Sequence, residues 1–151
     1  MSLAVRAPLA GTVVAVEQVP DPVFAGKFVG PGVAIDPCRV GDVTAVAPID
    51  GTVAKVHPHA FIVVGADGRG VLTHLGLDTV GLAGAGFVVH VEEGDTVRAG
   101  DPIVTWNPGE VEAGGLNPIV PVIALEADEA ALALAEAGTE LAAGQTVLDW
   151  S

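Results

Sequence analysis

Two short motifs each occur twice in this chain, and their copies interleave. Ala7-Pro8-Leu9-Ala10-Gly11-Thr12-Val13 returns 40 residues later as Ala47-Pro48-Ile49-Asp50-Gly51-Thr52-Val53. Gly94-Asp95-Thr96-Val97-Arg98-Ala99-Gly100-Asp101 is echoed 44 residues later by Gly138-Thr139-Glu140-Leu141-Ala142-Ala143-Gly144-Gln145. Segments this short cannot each bury a core, so the copies must share one. The pattern predicts a duplicated β motif inside one domain, with two similar half-sheets packed face to face. A glycine stands in each copy where the chain turns sharply into a strand.

The rest of the chain agrees with a β reading. Val, Thr and Ile recur in short runs at residues 12–16, 33–35, 52–56, 61–64, 71–75, 87–91, 103–106, 119–125 and 147–150, separated by Gly, Pro, Asp and Asn. Such spacing predicts an all-β, antiparallel sandwich or barrel. One short C-terminal helix is expected over residues 128–137, which are rich in Ala and Leu, with Asp128 to cap it and Gly138 to stop it. Residues 107–115 have room for a turn or two of helix, and Gly114 and Gly115 argue against more. No linker or low-complexity tail interrupts the chain, so residues 1–151 are expected to form a single domain. The Met1 start leads us to expect a stand-alone subunit.

Composition excludes several classes of function. Half of the 151 residues are hydrophobic, yet no run of about 18 or more is purely apolar, so no spanning helix and no direct membrane insertion are expected. The first residues do not read as a secretory signal. Six basic against nineteen acidic residues give a formal net charge of -13. That surface repels nucleic acid and anionic lipid and steers basic proteins toward it. The single cysteine, Cys38, allows no internal disulfide and suits a reducing cytoplasm.

The chemistry-bearing residues are histidines. His74 alternates with Leu72 and Gly76 along one face of an expected strand, and Gly76 removes a side chain beside it. Asp78 follows four residues after His74. His59 opens the preceding strand, and a hairpin through residues 65–70 would bring it level with His74. Thr73 should face the other way. His57, two residues before His59 across Pro58, reads as a loop residue, and His90, beside Glu92 and Glu93, as an outward surface position. Two imidazoles brought together can share a proton, a metal ion or a phosphoryl group. One reading is therefore a zinc-dependent hydrolase, in which His57, His59, His74 and Asp78 supply ligands and leave one position open for water.

The other reading comes with a resemblance. Val19-Pro20-Asp21-Pro22-Val23-Phe24-Ala25, Gly30-Pro31-Gly32-Val33-Ala34-Ile35, Ala47 to Val53, His59-Ala60-Phe61, Glu93 to Val97, Asn117 to Val122 and above all His74-Leu75-Gly76-Leu77-Asp78-Thr79-Val80 follow one another in order. Across nearly its whole length the chain resembles the glucose-type enzyme IIA of the bacterial phosphoenolpyruvate-dependent sugar phosphotransferase system. The resemblance implies a duplicated hybrid β-sandwich and a phosphotransferase component with a phosphohistidine intermediate. It implies that His74 accepts the phosphoryl group and that His59 hydrogen-bonds to it. The implied donor is the histidine-containing phosphocarrier protein, and the implied acceptor is a cysteine on a sugar-specific enzyme IIB. Asp21 and Asp78 match acidic positions that meet a basic partner, and Val23, Phe24, Phe28 and Val29 match an apolar docking rim. No cofactor is required, though zinc bridging His59 and His74 to a partner carboxylate is implied as well. Some relatives bind transporters or metabolic enzymes in one phosphorylation state. Two departures stand out. His57-Pro58 replaces the threonine usual before the first histidine, and the loop over residues 36–45 is longer. The zinc peptidases of related architecture carry their His-x3-Asp element before their His-x-His element, the reverse of the order here.

Overall fold

A computed structural model describes residues 2–151. It contains fourteen strands: β1 Leu3–Arg6, β2 Gly11–Ala15, β3 Gly32–Pro37, β4 Val43–Val46, β5 Gly51–His57, β6 Ala60–Val64, β7 Gly70–His74, β8 Val88–Val89, β9 Thr96–Val97, β10 Pro102–Trp106, β11 Val120–Ala124, β12 Leu132–Leu134, β13 Glu140–Leu141 and β14 Thr146–Trp150. Two short helices join them, α1 at Pro22–Ala25 and α2 at Pro108–Ala113. One eight-stranded sheet runs β13-β2-β3-β11-β7-β6-β5-β9, and two three-stranded sheets run β1-β14-β12 and β4-β10-β8. The pairings are antiparallel. Among the described residues no helix is long and apolar enough to cross a membrane.

The duplication is written into the hydrogen bonds. The Ala7 N–H donates to Gln145 O, Ala7 O accepts from Gly144, and Val13 exchanges bonds with Gly138 and Thr139. In the second copy Ala47 pairs with Asp101 and Gly100, and Val53 with Asp95 and Gly94. Each copy of the first motif is therefore zipped to one copy of the second. The two units do not form separate half-sheets. They close the opposite edges of the eight-stranded sheet, through β2–β13 and β5–β9.

The C-terminal helix expected over residues 128–137 does not form. Asp128 caps a single 3-10 turn at Glu129–Ala131 by accepting from Ala130 N, and the chain then extends as β12. Leu132 and Leu134 pair with Trp150 and Leu148 of β14. This tertiary pairing outweighs the helical preference of Ala and Leu, which amounts to tenths of a kcal/mol per residue. At residues 107–115 the expected one or two turns do form. Asn107 caps α2, Pro108 starts it, and Gly114 with Gly115 ends it.

Alternation along the central strands sends side chains to two cores. Ile35, Phe61, Val63, Val71, Leu75 and Val122 point into the main core with Ile103, Trp106 and Leu148. On the other face Ala34 and Ile123 meet Val16, Val19, Phe24, Leu77 and Ile119 in a second, smaller cluster. The segment around α1 thus covers only part of the outer face of the sheet, and the candidate site lies where that cover ends.

Candidate functional site

His74 is the last residue of β7 and lies opposite Ala60 at the start of β6. One further ladder bond, from Leu75 N to His59 O at 2.7 Å, ties the residue before Ala60 to the residue after His74. The two imidazoles therefore meet on the outer face, with ring centroids 5.3 Å apart and planes at 70°. Thr73 turns into the core and is fully buried.

His74 is held on two sides. Its Nδ1 lies 2.6 Å from the carbonyl oxygen of Gly76. A carbonyl can only accept, so Nδ1 carries the proton and Nε2 keeps a free lone pair. The edge of Phe24 packs against the ring at 5.2 Å. Phe24 itself is buried, and α1 delivers it because Asp21 caps that helix at Val23 N and Pro22 starts it. The Gly76 carbonyl is aimed by a left-handed residue, φ +82°, in a turn fixed from both ends. The buried Thr79 hydroxyl donates to Leu75 O at 2.7 Å, and Leu77 N donates to Asn117 O at 2.8 Å. Gly76 is thus not a gap beside His74. It is buried, and its backbone sets the tautomer of the ring. Sequence reasoning missed this carbonyl, together with Thr79, Asn117 and the packing role of Phe24.

Both rings favour the neutral form. Burial pushes the His74 pKa down; its bond to Gly76 and the carboxylates of Asp21 and Asp78 pull the other way without overcoming it. His59 is also lowered, first by burial and then by His74 and His57. Both histidines are therefore expected to titrate below about 6.5, as NMR of their ring protons would measure. Above that value the rings are neutral in the folded and unfolded chain alike. As the pH falls, the unfolded chain takes up protons first. Stability is then lost progressively until the pH passes below the depressed folded-state values. A loss of stability setting in well above pH 6.5 would contradict these shifts.

Around the pair the surface is acidic and apolar. Val23, Phe28 and Val80 are exposed, at 46%, 77% and 64%. Val29 is partly buried and packs against the second cluster. Asp78 is exposed with a left-handed backbone, φ +59°. His57 is not in a loop: it ends β5, and its ring stacks on His59 with centroids 5.7 Å apart. A shallow cavity of about 230 Å³ adjoins it, lined by Lys55, His57, Ala60, Phe61, Ile62 and Leu72. His90 lies elsewhere on the surface, its Nε2 within 2.7 Å of the Thr105 hydroxyl.

The hydrolytic zinc reading fails on this geometry. Among the described residues no group of three or more His, Cys, Asp or Glu side chains is arranged to hold a metal ion. His57, His59, His74 and Asp78 are not assembled as ligands, and two imidazoles fall short of the three protein ligands of a catalytic zinc centre. What remains is a neutral imidazole with one free nitrogen, a second imidazole beside it, and an apolar, acidic rim. Such a site can take up a group from something that docks against it.

Comparison with known proteins agrees. The chain belongs to the EIIA 1 family of the phosphoenolpyruvate-dependent sugar phosphotransferase system, whose family model matches residues 3–130. It is similar to the glucose-specific EIIA component of Halalkalibacterium halodurans, with 42% identity over 146 residues, covering 95% of this chain and 83% of that protein. The N-acetylglucosamine-specific EIICBA component of Klebsiella pneumoniae is 41% identical over 143 residues, which are 93% of this chain but 22% of that longer protein. Among solved structures, the glucose permease IIA from Mycoplasma capricolum superposes with a TM-score of 0.89 at 32% identity, covering 99% of this chain and 96% of that one.

Proposed function

We propose that this protein is a phosphoryl carrier in sugar uptake that accepts the group on Nε2 of His74. The observation that carries this reading is the bond from His74 Nδ1 to Gly76 O, which leaves Nε2 unprotonated with His59 alongside. The donor is the histidine-containing phosphocarrier protein. The Nε2 lone pair attacks phosphorus in line with the donor's N–P bond; the new N–P bond forms as the old one breaks, and the donor imidazole recovers its electron pair. In the second step the thiolate of an enzyme IIB cysteine attacks the same phosphorus; the S–P bond forms as the Nε2–P bond breaks, and Nε2 takes back its electron pair, so His74 is returned neutral. EIIA segments joined to B and C components in the Klebsiella and Corynebacterium glutamicum relatives support that acceptor.

His59 donates an N–H to a phosphoryl oxygen, a bond strengthened by the charge it meets. Asp21 and Asp78 act in the opposite sense: their carboxylates repel a dianionic phosphoryl group on His74. This repulsion keeps the phosphohistidine labile, as a carrier needs, and the same carboxylates attract a basic partner. Val23, Phe28 and Val80 give that partner an apolar landing, and Phe24 and Val29 support it from beneath. No cofactor enters either step. A zinc ion between His59 and His74 would take its remaining ligands from a docked protein. The relay works in the cytoplasm, and the membrane subunits select the sugar. The exposed apolar rim beside a group that gains charge also suits phosphorylation-dependent binding of transporters or metabolic enzymes.

The test is incubation with labelled phosphoenolpyruvate and the general phosphotransferase proteins, followed by peptide mapping. The label is expected on His74. His59→Ala should slow transfer about 10- to 100-fold, the worth of one hydrogen bond to a charged group, with the fold intact. Label on another residue, or an unchanged rate without His59, would refute the respective role.

A further inference from the structure

His59 is the imidazole of the site that no hydrogen bond orients. Nδ1 of His74 is held by Gly76, whereas among the described residues neither ring nitrogen of His59 has a partner. Packing alone sets its plane. One face lies nearly parallel to His57, with centroids 5.7 Å apart and planes at 21°, while His74 meets it edge to face. The fold brings His57 there through a register shift. The β5–β6 ladder runs Val53↔Val63 and then Lys55↔Ile62, so Ala54 is an extra residue. This bulge reverses the parity of the strand. Val53 points into the core, yet Lys55 and His57, both odd-numbered like Val53, reach the outer face. His57 then pairs with Ala60, and Ala60 with His74. The three positions form a row across adjacent strands, with the small, buried Ala60 between the two histidines.

We propose that His57 is a positioning residue for phosphoryl transfer: stacked on His59, it fixes the plane in which a His59 N–H meets the phosphoryl oxygens carried by His74. This rests on His74 being the acceptor. A donor fixed in advance loses nothing to reorganisation when charge arrives, whereas a ring free to swing does. The stack does the work, so an aromatic ring without nitrogens should serve at this position.

The test compares His57→Ala and His57→Phe with the wild type in the full phosphoryl relay, alongside the ring-proton NMR shifts of His59. His57 is exposed at the end of its strand, so both variants should fold. In His57→Ala the label should stay on His74, transfer should fall about 10-fold, and the upfield ring-current shift of His59 should be lost. His57→Phe should keep that shift and recover to within about threefold of the wild-type rate. An unchanged rate in His57→Ala, with wild-type label on His74, overturns this proposal alone. So does a His57→Phe variant as slow as His57→Ala, which would assign the effect to the ring nitrogens. Wild-type label found elsewhere than His74 overturns the acceptor reading and this proposal together.

Discussion

His74→Gln is expected to fold and to accept no measurable phosphoryl group. The glutamine amide has donors and an acceptor but no nucleophilic lone pair on nitrogen, so the N–P bond cannot form. Loss of the nucleophile should lower transfer by at least about 1000-fold. Stability should change little. The ring is only partly buried, and its neighbours Thr73 and Leu75, both fully buried, keep β7 anchored in the main core. The experiment pairs radiolabel uptake with a denaturation curve. A variant that remains folded and still takes up label would move the nucleophile elsewhere, and His59, one ring away, would be the first residue to examine.

The parts of this design that could be read from sequence are those carried by side-chain pattern. Alternating apolar residues identified the central strands because one face of each is buried, as Phe61 and Val63 are while Ile62 is not. The duplicated segments were legible because both copies must make the same sharp entry into a strand, and the matching bonds of Ala7 and Ala47 are the physical form of that repeat. Two-residue strands such as Thr96–Val97 and Glu140–Leu141 have no period to detect. The segment 128–137 misled because Ala and Leu favour helix locally, while β14, the largely buried partner strand that claimed it, lies elsewhere in sequence. His57 was misread for a similar reason: a bulge carries no residue signature, and it decides which way the end of β5 points. At the site, His59 and His74 announce themselves as side chains. The group that orients His74 is a backbone carbonyl, and any residue type supplies one. Its placement depends on a left-handed glycine and on Thr79 and Asn117, whose roles appear only once the turn is closed.

Gly76→Ala puts that carbonyl to the test. At φ +82° an alanine meets its own left-handed penalty, about 1–2 kcal/mol. Its methyl would also lie 2.7 Å from the Thr79 methyl carbon and 3.1 Å from Asn117 O, so the turn must shift to admit it. A shift there disturbs the Thr79 hydroxyl bond to Leu75 O and moves the Gly76 oxygen away from His74 Nδ1. The ring then loses both its tautomer and its aim, and a displacement of about 1 Å at a reacting group can cost about 100-fold. Transfer should therefore fall by that order in a protein still folded at 25 °C. Gly115→Ala separates strain from site chemistry. Gly115 is also left-handed, φ +94°, but a methyl there meets nothing within 4 Å. It should show a similar backbone cost in denaturant midpoint and wild-type transfer. If Gly76→Ala and Gly115→Ala lose the same stability and both transfer normally, the carbonyl does not govern His74. If only Gly76→Ala loses transfer, the turn is part of the reaction machinery rather than a connector between strands.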